Sequence, residues 1–150
     1  MGYVEELRKI VGSRRIILVG AIVIIENEKN EILLQKRKEP YGVWGLPGGL
    51  MELGETVEEN ARREVYEECN IVLKNLETFD IISGKENYMR ASNGDEIAGV
   101  TVVYICKEFE NNLESTNDEI LANEFIHKSN LPNAIVGSHK KVINKYLNIK

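Results

Sequence analysis

The sequence is poor in cysteine and histidine, and that shortage bounds its chemistry. Cys69 and Cys106 are its only cysteines. They cannot build a framework of bridges and do not stand at a paired metal-ligand spacing, so a reduced, cytoplasmic setting is the simpler expectation. Neither suggests a nucleophile, and both read as core. His127 and His139 also lack metal spacing and read as surface residues. Positive charge is scarce as well: 19 Lys and Arg against 24 Asp and Glu leave a net charge of −5. Duplex nucleic acid is therefore not an expected partner, because its binders displace counterions with a basic patch. No apolar run approaches the ~20 residues of a membrane span, so no membrane partner is expected. The glycines of the central loop are followed by no G-K-[ST], which excludes a P-loop.

What is present is the composition of an ordinary globular protein, 43% hydrophobic and 29% charged over 150 residues. Residues 1–150 are expected to form a single domain. The N-terminus predicts an amphipathic helix over about 3–11 rather than the apolar core of a signal peptide. Its apolar side (Val4, Leu7, Ile10, Val11) is expected to cover the sheet of its own chain, with a homodimer contact as the alternative. Ile16 to Ile25 is a nearly continuous β-branched run, the pattern of a strand buried on both faces. Asn27 to Asn30 turns the chain into a second strand, Glu31 to Arg37.

A Gly- and Pro-rich loop leads to a helix over about Val57 to Cys69. Leu76 to Ser83 and Ile97 to Phe109 read as strands, with Asn93-Gly94 as a hairpin turn between them. Ile120 to Ile126 is expected as a short last strand, and Ser138 as the cap of a closing helix through Leu147. The order gives an α/β protein, a mixed sheet covered on both sides by helices.

The central helix and its lead-in carry Glu52, Glu55, Glu58, Glu59, Glu64, Glu67 and Glu68 against only Arg62 and Arg63. Thr56 with Glu59 makes a capping box, which explains Glu59 structurally. The later glutamates need another reason. At ~100° per residue, Glu64 and Glu68 fall within about 20° of Val57, on the apolar stripe. Glu67 sits at its edge, and the three are neighbours at spacings i, i+3, i+4. Clustered, half-buried like charges cost several kcal/mol or take up protons unless a cation compensates. A divalent ion does so economically, because carboxylate oxygens are hard ligands suited to Mg²⁺ or Mn²⁺. A merely acidic, solvated surface helix is the bland alternative.

The flanking pattern decides between them. Gly49, Glu55, Arg63-Glu64-Val65, Glu67-Glu68 and Ile71 resemble the Nudix hydrolase signature G-x5-E-x7-R-E-U-x-E-E-x-G-U, with U a bulky aliphatic residue. The box spans 49–71, and its one departure is Asn70 in place of glycine. Asparagine tolerates the left-handed conformation expected after a helix end second only to glycine. Trp44-Gly45-Leu46-Pro47-Gly48-Gly49 is similar to the family's approach to the box. Glu119 before Asn123-Glu124-Phe125 resembles a segment where some members bring an extra acidic ligand, and Leu131-Pro132 the turn that follows.

The resemblance implies the Nudix fold, an α/β/α sandwich with a central mixed β-sheet. It also implies hydrolysis of a diphosphate linkage in a nucleoside diphosphate derivative. Glu64, Glu67, Glu68 and Gly48 would hold Mg²⁺, with Mn²⁺ a possible substitute. Glu64, Glu67 and Glu119 are open candidates for the carboxylate that takes the water's proton. Arg63 and Glu55 resemble the family's orienting ion pair; an ordinary i, i+4 pairing of Arg63 with Glu67 is the plain alternative. Arg37 ends a strand near the site by the same analogy and is a candidate phosphate contact. Trp44 and Tyr41 are candidates to stack on a base or simply to pack. Tyr88 stands at a distance from the box seen in some dinucleoside polyphosphate hydrolases. A non-catalytic nucleotide sensor on this fold is the rival reading, but such domains tend to lose box carboxylates, and this chain keeps them.

Overall fold

The structure is a computed structural model that describes residues 2–114, 118 and 120–148. Three α-helices are described: α1 (Tyr3–Val11), α2 (Val57–Cys69) and α3 (Gly137–Leu147). The strands are β1 (Ile16–Ile25), β2 (Glu31–Arg37), β3 (Trp44–Gly45), β4 (Gly48–Leu50), β5 (Ile71–Leu73), β6 (Glu77–Ile82), β7 (Tyr88–Arg90), β8 (Glu96–Cys106), β9 (Phe109–Asn111) and β10 (Ile120–His127).

The main sheet is mixed, in the order β4-β1-β8-β6, with β7 also paired to β8. β1 and β8 run parallel in unbroken register from Ile16 opposite Ile97 to Ile25 opposite Cys106. A second, antiparallel sheet joins β10, β2 and β3, and β5 pairs with β9 as a short ribbon. The expected strand Ile97 to Phe109 is therefore two: Phe109–Asn111 leaves the main sheet to pair with Ile71–Leu73.

The apolar run of β1 alternates between two cores. Ala21, Val23 and Ile25 face α2, packing with Leu33, Ala61, Val65 and Cys69. Ile22 and Ile24 face α3, packing with Leu34, Leu46, Val142 and Ile143. Because successive strand side chains point to opposite faces, a helix on each side encloses the run from Gly20 to Ile25. Ile17 at the strand's start is instead 73% exposed, against the expectation of burial on both faces. Leu33 is fully buried; truncating it to alanine is expected to cost about 2–5 kcal/mol.

Two expectations about the helices change. α1 buries none of its residues, so it does not cover the sheet. It is tied on by polar contacts instead, Tyr3 N donating to Glu52 at 2.9 Å and Arg8 reaching the start of β8. α3 begins at Gly137 with Val136 in the cap position and no side-chain cap, so Ser138 lies inside the first turn. The start is held by backbone: Val136 N donates to Trp44 O at 2.9 Å, and Lys140 N to Val136 O at 2.8 Å.

Candidate active site

α2 starts where the sequence says it should. Thr56 accepts from the Glu59 amide while the Glu59 carboxylate accepts from the Thr56 amide. It ends at Asn70, which adopts the left-handed conformation with φ 57 and ψ 36, and whose Nδ2 donates to Asn112 O at 3.0 Å. The side-chain amide thus secures the turn that glycine would make by lacking a Cβ.

The helix lies over the Gly48–Leu50 strand, and the approach is too close for side chains. A Cβ on Gly48 would stand 2.0 Å from the Ala21 carbonyl oxygen, and one on Gly49 would stand 2.4 Å from the Glu64 carboxyl carbon. Glycine here lets the backbone meet the helix's carboxylates directly. The Gly48 amide donates to Glu68 Oε1 at 3.0 Å.

Arg63 is the hub of the outer half of the site. Its Nε and Nη2 donate to the two oxygens of Glu55 at 2.5 and 3.0 Å, and Nη1 donates to Glu64 at 2.9 Å and Glu67 at 3.2 Å. Nη2 also reaches the Leu50 carbonyl and Asn60 Oδ1. Hydrogen bonding to Arg63 holds Glu55 below the usual carboxylate range. The i, i+4 pairing with Glu67 is real, but it is one contact of several.

Deeper in, burial dominates. Desolvation pushes the Glu68 carboxyl up to about 8, with the nearby Glu64 charge adding to the rise and the Gly48 amide, Arg37 and Gln35 opposing it. Burial also raises Glu64, against the opposing pull of Arg63. Glu67 is the exposed member of the trio.

Arg37 stands near enough to Glu68 for its charge to oppose the rise of that carboxyl. Its guanidinium packs flat on Gly45, where a Cβ would come within 2.8 Å of Nη2. Among the described residues the guanidinium donates no hydrogen bond, and burial lowers its pKa. These groups open into a cleft of about 780 Å³, whose lining includes Gln35, Arg37, Gly48, Glu68, Ala91 and Ser92.

No aromatic side chain among the described residues lines that cleft. Trp44 packs on the α3 core, and Tyr41 is 79% exposed in its turn. Tyr88 lies on β7 beneath Arg15, whose guanidinium carbon is 4.1 Å from the ring centre. Glu119 lies outside the described residues. The expectation of surface histidines holds for His127 and fails for His139, which is buried and whose Nδ1 accepts from the Leu46 amide at 3.0 Å.

Sequence reasoning missed the polar floor beneath α2. Gln35, 1% exposed, donates to Cys69 Sγ at 3.4 Å and hydrogen-bonds Glu68. Asn123 donates from Nδ2 to the Glu68 and Glu114 carbonyls at 2.9 and 3.0 Å. Asn60 donates to the Gly49 carbonyl at 3.1 Å. Gln35 left one readable trace, an amide inside the buried run ILLQ.

The site suits a divalent cation by its donor chemistry. Two half-buried carboxylates, both raised by desolvation, and a third one turn away are hard oxygen donors whose charge a cation would offset. Among the described residues no three such groups already converge as a closed cage; Glu64 is turned to Arg63 and Glu68 to Gly48.

Comparison with known proteins agrees with this geometry. The family model described as NUDIX domain matches residues 17–146. Over 128 residues the chain is 30% identical to an ADP-ribose pyrophosphatase of Methanocaldococcus jannaschii, covering 85% of this chain and 71% of that one. It is 34% identical over 104 residues to a MutT-like protein of Streptomyces ambofaciens, covering 69% of this chain and 58% of that one. The crystal structure of a MutT NUDIX hydrolase from Burkholderia pseudomallei superposes with a TM-score of 0.73 at 27% identity, covering 86% and 97% of the two chains. The fold and the carboxylate helix are those of a pyrophosphohydrolase. The chain belongs to the Nudix hydrolase family.

Proposed function

We propose that the cleft hydrolyses the diphosphate linkage of a nucleoside diphosphate derivative, using Mg²⁺ or, in its place, Mn²⁺. The observation that carries this reading is that Glu68 and Arg37 line one cleft together. A carboxylate raised by burial and a guanidinium with no hydrogen-bond acceptor among the described residues both gain if a metal-bound diphosphate lies against them.

Glu64, Glu67, Glu68 and the carbonyl of Gly48 are the residues that would hold the ion. When bound, such an ion neutralises phosphate charge and acidifies a water for in-line attack. The chain's own groups do the rest. The Gly48 amide and Gln35 fix the Glu68 carboxylate, and Arg63 fixes Glu64. Arg37 takes a phosphate oxygen, matching its planar fork to the acceptor. One carboxylate among Glu64, Glu67 and Glu119 receives the water's proton as the phosphorus–oxygen bond of the anhydride breaks.

The relative named an ADP-ribose pyrophosphatase makes a nucleoside diphosphate sugar the first compound to try. The test is a screen of nucleoside diphosphate derivatives with Mg²⁺ and then Mn²⁺, scoring phosphate released after phosphatase treatment. Glu67→Gln should lower turnover by orders of magnitude with the fold intact. A parent that binds one compound and releases nothing is a sensor, and the hydrolytic reading is then wrong.

A further inference from the structure

α1 buries no residue, yet one of its side chains is enclosed: Arg8 is 11% exposed. Its Nη1 donates to the Gly12 and Arg14 carbonyls at 2.9 and 2.7 Å, its Nη2 donates to the Glu96 carbonyl at 2.7 Å, and its Nε lies 3.6 Å from Asp95. A guanidinium fork can satisfy this set of acceptors at once. A second tie runs alongside, from the Glu96 amide to the Ser13 carbonyl at 3.0 Å.

Asp95 and Glu96 are the returning limb of the hairpin between β7 and β8. Its turn is closed by Ala91 N to Asp95 O at 2.8 Å and Gly94 N to Ala91 O at 2.9 Å. The tip of this hairpin, Ala91 and Ser92, lines the same cleft as Arg37 and Glu68. At about 780 Å³ the cleft is the size of a pocket for a whole drug-sized ligand, more than a diphosphate fills. Arg37, Lys38, Glu39, Glu68 and Asp118 bring charge to its lining, whereas Ala91 and Ser92 bring neither charge nor ring, a surface suited to whatever the diphosphate is joined to.

We propose that Arg8 is a positioning residue for substrate binding: through Asp95 and Glu96 it holds the hairpin whose tip, Ala91 and Ser92, supports the non-phosphate portion of the substrate. This rests on the reading of the cleft as a nucleoside diphosphate site. It gives α1 a role that covering the sheet does not, since Arg8 ties the helix to Asp95 and Glu96 of the hairpin that lines the cleft.

The test uses the full chain with its best nucleoside diphosphate derivative and Mg²⁺. Arg8→Ala should raise KM about fivefold or more while kcat stays within about twofold, because Arg8 touches none of Glu64, Glu67 and Glu68. Without ligand, the amides of Ala91, Gly94 and Glu96 should exchange hydrogen faster in the variant, while those of α2 do not change. Should Arg8→Ala fail to fold, Ser92→Trp decides. It leaves the Arg8 contacts alone, places bulk at an exposed tip, and should raise KM more for a derivative with a large second group than for a nucleoside triphosphate. Unchanged KM, or a loss in kcat alone, overturns the positioning role in an active enzyme. A parent that hydrolyses no diphosphate derivative overturns the reading of the cleft, and this role with it.

Discussion

Arg63 grips Glu55 with two nitrogens, Nε at 2.5 Å and Nη2 at 3.0 Å, and spends its remaining nitrogen on Glu64 and Glu67. The planar fork leaves the guanidinium little freedom, so Glu55 sets where Arg63 stands and Arg63 sets where Glu64 stands. Glu55→Gln keeps the shape and removes the charge. Groups that orient metal ligands typically matter by about 10–100-fold, and kcat should fall within that range. Stability should change by no more than about 1 kcal/mol, because the pair is partly exposed and screened. Steady-state kinetics beside a thermal melt check both halves; parent-like kcat would leave Glu55 with no orienting role.

Gly49 is the steric partner of this arrangement. A Cβ there would lie 2.4 Å from the Glu64 carboxyl carbon, closer than atoms can pack, so Gly49→Ala must displace the carboxylate or the strand. Overpacking of this kind costs about 1–3 kcal/mol. The expected outcome is a folded protein by circular dichroism with kcat lowered at least tenfold. Full activity in Gly49→Ala would mean that Glu64 is free to move without consequence, against its proposed place in the site.

Much of this site was legible in the sequence, and what was not legible has a physical reason. The box residues are local: their spacing, the capping box at Thr56 and the left-handed exit at Asn70 all lie within one helix and its ends, where sequence distance equals spatial distance. The alternation of β1 between two cores was implied by its unbroken apolar run. Gln35, Asn60 and Asn123 were missed because their work depends on strands and loops that meet only in the fold; Asn123, for example, reaches Glu68 and Glu114 from β10. Arg8 was hidden for the same reason. His139 was misread as exposed because a lack of metal spacing says nothing about burial, and the Leu46 amide it accepts from is 93 residues away in sequence.

Cys69 tests the polar floor under α2. Burial pushes its thiol up to about 12, the Glu68 charge raising it further and the Gln35 contact opposing, and burial raises Cys106 as well. The thiolate is the reactive form, so neither cysteine should react with a disulfide reagent in the native protein at pH 8. Both should react on unfolding in urea. Rapid native labelling of Cys69 would show that the helix end opens readily, and that Gln35 and Asn123 do not hold it.

His139 carries a pH prediction of definite sign. The ring is buried against the sheet, its Nδ1 accepts the Leu46 amide proton, and burial, with Arg37 nearby, lowers its pKa from 6.5 to about 3. The folded protein therefore keeps the ring neutral where the unfolded chain would protonate it. Between about pH 6.5 and 3 the unfolded state binds the extra proton, so stability falls as pH falls through that window and this contribution is complete above it. At ~1.4 kcal/mol per pKa unit the effect amounts to a few kcal/mol. Burial raises the Glu68 and Glu64 carboxyls and gives them the opposite slope, so the quantity to measure is the difference between the parent and His139→Ala. Urea unfolding from pH 7 to pH 4 should show the parent's advantage shrinking as the solution is acidified. An advantage that held constant would mean the imidazole is already charged, or not buried, in the native fold.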